Sequence, residues 1–496
     1  MEQLLASFSQ LLTPVPLFFI ALGTILGVVI GAIPGLGPAM LIALLLPLTF
    51  YMDSVNALIM LVSIYVGGIS GGLISAALLK MPGTPAAIMT TMDAYPMAMS
   101  GQASRALSLG VIASFVGGMI SWVFLAALSP SLAEFALRFG PYEFLALVLM
   151  ALILISAVSQ GALLKGLIGA LFGFGVAIVG PDVASGVIRL NFGYDELNAG
   201  FRLLPTLLGL FVVSQLIEML VGNQKPVQQA STTAMDILRN TGNMVKHWGN
   251  VLRSSVIGTW IGILPGVGSA VAAIVSYSVT RNVSKKKEEF GKGSEEGIVA
   301  AESANNAAVN GALVPLIALG IPGSVVDAIL IGALIVHDLQ PGPGLFREQP
   351  QVAYGIIAAA LIANIIMFAF MITCAGYIAK VAKIPKSLLA PAILVFCIIG
   401  VFTATNRFFD VWIMLGFGVI GYLLRRAGVP IGTVVLGFIL APIAESELRN
   451  GLMLYNGSLW PMVTRPIALA FVIASVAMLA WPLVSKSLAA RRHAPD

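Results

Sequence analysis

Long apolar runs without a charged residue constrain this chain more than any other feature. Three of them are Gln3 to Met52, Ser54 to Leu79 and Gln349 to Ala379. About twenty apolar residues in a helix cross the hydrocarbon core of a bilayer. The runs have helical length and do not resemble the roughly ten-residue alternating segments of a β-barrel. The pattern therefore predicts an all-α polytopic membrane protein.

Composition excludes a soluble protein. Charged residues make up 10% of the chain and hydrophobic residues 58%, whereas soluble domains carry roughly 25% charged residues. The formal net charge of +5 resides in loops, so we interpret it as an orientation signal and not as a nucleic-acid-binding surface. No G-x-x-x-x-G-K-[ST] motif for ATP occurs, so an ion gradient is the expected energy source.

Two Pro-Gly-x-Gly clusters interrupt the apolar runs. They are Pro34 to Gly37 and Pro265 to Gly268. Proline and glycine do not continue a helix, and the segment after the first cluster, Ala39 to Phe50, is too short to cross a bilayer. Each cluster predicts a broken helix or one half of a re-entrant hairpin.

The same break occurs twice because the chain contains an internal repeat. The first set, Gly27, Gly31, Pro34, Gly35, Gly37 and Ala39, recurs at one constant offset as Gly258, Gly262, Pro265, Gly266, Gly268 and Ala270. A second Pro-Gly pair follows in each copy, Pro82-Gly83-Thr84 and Pro322-Gly323-Ser324. The predicted organisation is membrane repeat 14–221, cytoplasmic linker 222–244, membrane repeat 245–450 and a C-terminal transmembrane helix 466–485.

Loop charges indicate that the two copies have opposite orientations. The second copy concentrates positive charge at Arg281 to Lys292, at Lys380 to Lys386 and at Arg425-Arg426, whereas the first copy places Lys80, Arg105 and Lys165 in the alternate loops. Positive loops are cytoplasmic, so the sign preference predicts inverted-topology repeats. The expected arrangement is about eleven crossings plus two hairpins, with the N-terminus outside and the C-terminus inside.

Inverted repeats with paired broken helices are typical of secondary transporters, whose sites lie near the midplane. Broken helices present free backbone N–H groups and positive dipole ends, which can hold an anion without a buried arginine. A packing kink is the alternative for each break. The predicted substrate-binding residues are Gly35, Gly37, Gly83, Thr84, Gly266, Gly268, Asn306, Asn310, Gly323 and Ser324.

A polar face on a predicted helix from Glu302 to Pro315 is the second candidate. Glu302, Asn306 and Asn310 are spaced four apart and share one side. The predicted ion-coupling residues are Glu302, Asn305 and Asp327, although interhelical hydrogen bonding is an equally common use of such groups. We expect no catalytic residue, no cofactor and no metal beyond a transported Na⁺.

The first copy carries glycines, Gly67, Gly68, Gly71 and Gly72, where the second copy has this polar helix. These glycines predict a close-packing face. Lys80 is expected to be a snorkelling anchor. The charged insert Lys285 to Glu296 mixes signs and is expected to be a solvated loop.

Several motifs resemble those of a known family. The segment from Gly27 to Met40, the loop Lys80 to Pro85, the loop Asp93 to Ala103 and the second break at Pro265 are similar to the large permease subunit of tripartite tricarboxylate transporters. The resemblance implies a bacterial inner-membrane protein that imports citrate or a related carboxylate with Na⁺ or H⁺. It also implies two partners, a small four-helix membrane subunit and a periplasmic solute-binding protein.

Three alternatives remain open at this point. A single-component carboxylate carrier would differ only in its partners. A channel would more naturally be a ring of identical subunits around one pore. An intramembrane enzyme such as a prenyl-phosphate transferase would need clustered acidic residues for Mg²⁺.

Overall fold

The computed structural model describes residues 2–158, 163–182, 185–221, 244, 246–381 and 386–492. The predicted cytoplasmic linker 222–244 lies outside the described residues except for Met244, as does Lys383 in one of the predicted basic loops.

Helices form nearly all of the described structure. They are α1 (Glu2–Leu11), α2 (Pro14–Gly31), α3 (Pro38–Thr49), α4 (Ser54–Leu79), α5 (Ile88–Met97), α6 (Ala103–Ala136), α7 (Pro141–Val158), α8 (Leu163–Ala177), α9 (Leu203–Leu207), α10 (Ser214–Val221), α11 (Trp248–Ile263), α12 (Gly268–Val283), α13 (Glu295–Leu319), α14 (Val325–Val336), α15 (Gly344–Glu348), α16 (Pro350–Val381), α17 (Lys386–Thr405), α18 (Phe408–Arg426), α19 (Ile431–Leu454), α20 (Pro461–Thr464) and α21 (Pro466–Arg492).

Short irregular elements connect some of these helices. Single 3₁₀ turns lie at Pro85–Ala87, Asp195–Ala199 and Lys287–Glu289, and π-helical turns lie at Ala98–Gln102 and Leu208–Val213. Two strands, β1 (Gly180–Pro181) and β2 (Ile188–Arg189), pair antiparallel with Gly180 opposite Arg189.

Seven helical segments among the described residues are long and apolar enough to cross a membrane. They are Pro14–Gly31, Ser54–Leu79, Pro85–Ala136, Leu203–Val221, Pro350–Ile378, Phe408–Arg426 and Ile431–Leu454. Several apolar helices are shorter, including Pro38–Thr49 and Val325–Val336. The predicted all-α polytopic membrane protein is confirmed at this level, and the number of crossings stays a prediction.

Both predicted helix breaks are present. The helix α2 ends at Gly31, and α3 begins at Pro38 and is 12 residues long. Proline suits the first turn of a helix because its missing N–H would have no partner there. In the second copy, α11 ends at Ile263 and α12 begins at Gly268.

The chain forms two compact units that do not coincide with the predicted repeats. The first comprises Met1–Glu134 and Leu204–Tyr422, and the second comprises Phe135–Leu203 and Leu423–Asp496. The repeat boundaries remain a prediction. The helix α19 continues to Leu454, beyond the predicted end of the second repeat at residue 450.

Two buried helices, α4 and α13, form the centre of the first unit. Every residue of α4 from Ala57 to Leu79 is buried, as is every residue of α13 from Gly297 to Ala318. Glycines let neighbouring helices approach closely. A Cβ at Gly27 of α2 would lie 2.5 Å from the carbonyl oxygen of Ile64 in α4, and a Cβ at Gly262 of α11 would lie 2.5 Å from that of Ala308 in α13. A Cβ at Gly67 or Gly71 of α4 would overlap a carbonyl oxygen of α2, so the expected close-packing face of α4 is present.

Charged side chains are paired in the second unit. Arg189 binds Glu445 through two hydrogen bonds, Nη1 to Oε1 at 2.7 Å and Nη2 to Oε2 at 3.1 Å. Asp182 accepts from Arg189 and from Arg449. This bidentate geometry orients the guanidinium, and the ion pairs fix the β1–β2 hairpin against the end of α19.

Candidate functional site

Four Pro-Gly turns lie between helices in the first unit. Gly35, Gly266 and Gly268 have positive φ values of 88°, 73° and 72°. Residues with a Cβ rarely adopt this backbone conformation. The other two turns separate α4 from α5 and α13 from α14. Each turn ends one helix and starts another, so backbone N–H groups without a helical acceptor are concentrated there.

The turns at Gly83 and Gly323 make the same contacts in the two copies. A Cβ at Gly83 would overlap the carbonyl oxygen of Gly31 and lie 3.0 Å from the Cα of Gly72. A Cβ at Gly323 would lie 2.8 Å from the carbonyl oxygen of Gly262 and 2.7 Å from the Cα of Ala312. In each copy the second Pro-Gly turn therefore packs against the end of the broken helix.

A backbone hydrogen bond joins the two breaks of the second copy. The N–H of Gly266 donates to the carbonyl oxygen of Pro322 at 3.2 Å. Gly268 lies nearby, because a Cβ there would be 3.5 Å from the Cβ of Ser324. The structure thus brings together Gly266, Gly268, Gly323 and Ser324. Gly37 lies in more open surroundings, since a Cβ there would meet no heavy atom within 4 Å.

The predicted polar face of α13 packs against helices of the first copy. Glu302 is fully buried, and its Oε1 accepts from Thr90 Oγ1 of α5 at 2.5 Å, while its Oε2 accepts from Ser114 Oγ of α6 at 2.8 Å. Buried carboxylates require such donors because an unpaired charge in an apolar interior is costly. Both oxygens of Glu302 are therefore engaged by hydroxyl groups.

The two asparagines on this face also bond across helices. Asn306 Oδ1 accepts from Ser70 Oγ of α4 at 2.5 Å, and its Nδ2 donates to Asn305 Oδ1 at 2.6 Å. Asn310 Nδ2 donates to Ser121 Oγ and to the carbonyl oxygen of Gly118, each at 2.9 Å. Interhelical hydrogen bonding is thus observed for this face, and its proposed ligand role stays a prediction.

Two of the predicted site residues carry a buried polar atom that has no hydrogen-bond partner among the described residues. They are Thr84 Oγ1 and Asn310 Oδ1. Thr84 is 1% exposed, and the carboxylate of Asp327, beside Ser324 at the start of α14, is 0% exposed. Buried polar groups are satisfied in the great majority of cases, so a polar ligand would gain a hydrogen bond at each of the two unpartnered atoms.

The hydroxyls of Thr84 and Ser324, which follow matching Pro-Gly pairs, differ in whether they have a hydrogen-bond partner. Ser324 Oγ lies 3.0 Å from the hydroxyl of Tyr65 in α4 and accepts from the N–H of Asp327 at the start of α14. Thr84 occupies the corresponding position in the first copy and has no such partner among the described residues. The hydroxyl of Ser324 is therefore engaged within the protein, whereas that of Thr84 is available.

Sequence reasoning missed the donors that support this site. Ser70, Thr90, Ser114 and Tyr65 carry no motif of their own. A usable signal was the buried carboxylate itself, because a predicted intramembrane Glu302 must find hydroxyl or amide donors on neighbouring helices. Which helices supply them depends on tertiary packing.

Lys80 lies at the end of α4, where it is exposed and has a left-handed φ of 54°. Its Nζ lies 5.6 Å from the centre of the Tyr95 ring. A cation over an aromatic face is stabilised by the ring quadrupole. This exposed position fits the expected role of Lys80 as a snorkelling anchor.

The charged insert is exposed from Lys285 to Glu289, as expected of a solvated loop, but the residues that follow wrap around a buried carboxylate. Asp93 is fully buried, and its Oδ1 accepts from the N–H groups of Gly291, Gly293 and Ser294 at 2.7, 3.0 and 2.9 Å. Its Oδ2 accepts from the hydroxyl of Tyr277 at 2.8 Å. The glycines of the insert allow its backbone to approach this carboxylate closely.

The chemistry of the region is suited to binding. It offers buried hydroxyl groups, side-chain amides and carboxylates. Among the described residues no group of three or more His, Cys, Asp or Glu side chains could hold a metal ion.

Comparisons with known proteins agree with the predicted resemblance. A family model described as "Tripartite tricarboxylate transporter TctA family" matches residues 17–436. An uncharacterized 52.8 kDa protein of the TAR-I ttuC' 3'region of Agrobacterium vitis is 35% identical over 470 residues, which cover 95% of this chain and 93% of that protein. An uncharacterized protein of the TAR-II ttuC' 3'region of the same organism is 40% identical over 211 residues, which cover 42% of this chain and 87% of that protein.

No solved structure matches the chain. The family match spans both predicted repeats and the Pro-Gly turns of the site. The chain therefore belongs to the tripartite tricarboxylate transporter TctA family.

Proposed function

We propose that this protein is the large membrane permease of an ion-gradient-driven secondary transporter that imports a carboxylate such as citrate. The observation that carries the proposal is the buried, unpartnered hydroxyl of Thr84 at a Pro-Gly turn, together with the buried carboxylate of Asp327 after another. A carrier needs polar groups that are left unsatisfied until substrate and ion arrive. Membership of a family of tricarboxylate transporters supports this choice of substrate class.

Inverted repeats are part of the proposal, because alternating access around a central site follows from them. Matching glycine contacts in the two copies support the repeat. Gly71 of α4 meets the carbonyl oxygen of Val28, and Gly311 of α13 meets that of Thr259. Val28 corresponds to Thr259, and Gly71 corresponds to Gly311, at the same sequence offsets that align the Pro-Gly turns.

The proposed orientation places the N-terminus in the periplasm and the C-terminus in the cytoplasm of a bacterial inner membrane. Contacts between loops that are assigned to the same side support it. Arg105 pairs with Glu295 in the first unit, and Lys165 donates to the carbonyl oxygen of Ala427 in the second unit at 2.8 Å. All four lie on the proposed cytoplasmic side.

Substrate binding is assigned to the hydroxyl of Thr84 and to backbone N–H groups at the breaks, with Gly35, Gly266 and Gly268 permitting the turns. A carboxylate accepts hydrogen bonds from such groups without a buried arginine. Asp327 is the proposed ligand of the coupling ion, Na⁺ or H⁺, because its buried carboxylate bonds groups of its own turn at Ser324, whereas Glu302 accepts from hydroxyls of two other helices.

Two partners complete the proposal. A periplasmic solute-binding protein would deliver the carboxylate, and a small four-helix membrane subunit would accompany the permease. The family name supports partner subunits.

Uptake of labelled citrate into proteoliposomes tests the proposal. The protein is reconstituted with and without the two partners, and with and without an inward Na⁺ gradient or an inward proton gradient. We expect accumulation above the external concentration only when the partners and one gradient are present. Equilibration without accumulation would indicate a channel, and accumulation without partners would indicate a single-component carrier. Absence of uptake for citrate and for a panel of other carboxylates would contradict the function.

A matched pair of variants tests the site. Thr84→Ala removes the unpartnered hydroxyl, so we expect the KM for substrate to rise about tenfold, since one hydrogen bond to a charged group contributes about 1.5–3 kcal/mol. Ser324→Ala removes the equivalent hydroxyl, which already bonds Tyr65 and the N–H of Asp327. The Ser324→Ala variant should therefore have a lower thermal stability, and its KM should change less than that of Thr84→Ala. Equal KM values for Thr84→Ala and the unmodified protein would refute the assignment.

A further inference from the structure

Two adjoining cavities open beside the start of α11 and the end of α12. One has a volume of about 450 Å³ and the other about 520 Å³. They share Lys246, His247, Lys286 and Glu296 as lining residues. Both lie within the first unit and away from the Pro-Gly turns, so the proposed transport site does not use them.

The larger cavity is strongly basic. Lys246, Arg253, Lys285 and Lys286 line it, and Glu296 is the acidic residue among its lining side chains. Lys286 also bonds Glu289 at 2.9 Å. An excess of positive charge in a confined space concentrates anions there.

Arg253 is held in place at the wall of this cavity by neutral groups. Its Nη2 donates to Asn250 Oδ1 at 2.9 Å and to Thr280 Oγ1 at 3.1 Å, while its Nε is buried and has no partner among the described residues. It forms no ion pair within that part of the chain. The guanidinium is therefore oriented, and its charge is not neutralised by a carboxylate among the described residues. Such a group suits the planar recognition of a phosphate.

Exposed apolar side chains lie at the same end of α11 as the cavity. Val283 lines the cavity and is 64% exposed, and Trp248 at the start of α11 is 56% exposed. Leu252 lies one turn from Trp248 on the same helix face, away from the cavity, and is also exposed. Exposed tryptophan beside apolar residues at a helix end is typical of the membrane interface. The cavity therefore lies at the depth of the lipid headgroups.

We propose that this cavity binds the phosphate headgroup of an anionic phospholipid, with Arg253 as the oriented contact, Lys246 and Lys285 as further charges, and the acyl chains leaving past the exposed Val283. Basic pockets between membrane helices bind anionic headgroups for this electrostatic reason. The interfacial depth that Trp248 indicates favours a lipid over free phosphate. The site is independent of the proposed transport function.

Native mass spectrometry of the full chain in detergent tests the proposal. Phosphatidylglycerol, phosphatidylcholine and inorganic phosphate are titrated separately. We expect saturable binding of phosphatidylglycerol and at least tenfold weaker binding of phosphatidylcholine. Inorganic phosphate at millimolar concentration should not displace the lipid. Equal binding of both lipids would overturn the proposal, and displacement by inorganic phosphate would instead assign a soluble-anion site.

Variants localise the binding. Arg253→Gln should weaken phosphatidylglycerol binding about tenfold, and Arg253→Lys should weaken it less because the charge remains. Lys292→Gln is the matched control, since Lys292 lines the smaller cavity and not the larger one. Size-exclusion profiles report whether each variant is folded. Unchanged binding by folded Arg253→Gln or Arg253→Lys, or an equal loss with Lys292→Gln, would refute the proposal.

Discussion

At the scale of single residues, the buried polar groups divide into two classes. Glu302, Asn306 and Ser324 have side-chain partners on other helices or turns, whereas the hydroxyl of Thr84 has none among the described residues. Paired groups fix the relative positions of helices, because breaking such a pair leaves a buried polar atom unsatisfied. Unpaired groups are free to bind a ligand.

Removing one donor from Glu302 should destabilise the protein. Thr90→Val keeps the side-chain shape but leaves a buried carboxylate oxygen without its 2.5 Å hydrogen bond. We expect a loss of about 1–3 kcal/mol in the free energy of unfolding. Thr91→Val is the matched control, because the Thr91 hydroxyl bonds only the carbonyl oxygen of Ala87 in its own chain segment. Thermal denaturation in detergent gives the comparison, and equal stabilities for the two variants would contradict the role of Thr90.

At the scale of elements, the Pro-Gly turns end helices that their apolar flanks would otherwise continue. Glycine is required at some of them for two different reasons. Gly35 and Gly266 have positive φ values, whereas Gly83 and Gly323 lie so close to neighbouring backbone that a Cβ would overlap it. The turns are therefore fixed by tertiary contacts as well as by local conformation.

A methyl group at the second turn should disrupt this packing. Gly83→Ala would force its Cβ against the carbonyl oxygen of Gly31 and to within 3.0 Å of the Cα of Gly72. Overpacking of this kind costs about 1–3 kcal/mol. Gly416→Ala provides the control, because Gly416 is an exposed residue of α18 with open space around it. Fluorescence-detected size exclusion after heating measures the midpoint temperature of denaturation. We expect this temperature to be lower for Gly83→Ala and unchanged for Gly416→Ala. A lower midpoint temperature for Gly416→Ala than for Gly83→Ala would rule out the packing argument.

The charged insert should loosen when Asp93 is removed. Asp93→Ala deletes the acceptor of three backbone N–H groups between Gly291 and Ser294. We expect amide hydrogen exchange there to accelerate at least tenfold, given about 1.5–3 kcal/mol for a hydrogen bond to a charged group. Glu289→Ala removes an exposed partner of Lys286 and should leave these amides unchanged. Unaltered exchange in Asp93→Ala would show that the insert is held in another way.

At the scale of the whole molecule, residues far apart in sequence join in each compact unit. The first unit combines Met1–Glu134 with Leu204–Tyr422, and the second combines Phe135–Leu203 with Leu423–Asp496. Both units therefore take segments from both predicted repeats. The polar face of α13 and the glycine face of α4 come from different predicted repeats, so neither repeat alone supplies all the partners of its own central helix.

The orientation can be tested by cysteine labelling in intact cells. Cys374 and Cys397 are first replaced by alanine, and a single cysteine is introduced at Tyr194 or at Lys287, both of which are exposed. We expect a membrane-impermeant maleimide to label Tyr194→Cys in intact cells and Lys287→Cys only after permeabilisation. Labelling of both positions from the same side would exclude the proposed topology.

The sequence by itself determined the membrane environment, the helical class, the broken helices and the family. Those features depend on local physics, because charge-free runs of helical length require lipid and Pro-Gly clusters end helices wherever they occur. The spacing of Glu302, Asn306 and Asn310 likewise predicted one polar helix face without reference to any other segment.

Only the tertiary structure decided which of these polar groups is engaged. Thr84 and Ser324 occupy equivalent positions in the sequence, and nothing local distinguishes them. The hydroxyl of Tyr65 bonds Ser324, whereas Thr84 is buried without a partner among the described residues. Hydrogen bonds between helices depend on how distant segments pack, and a sequence pattern with period 3.6 reports only which face each helix buries.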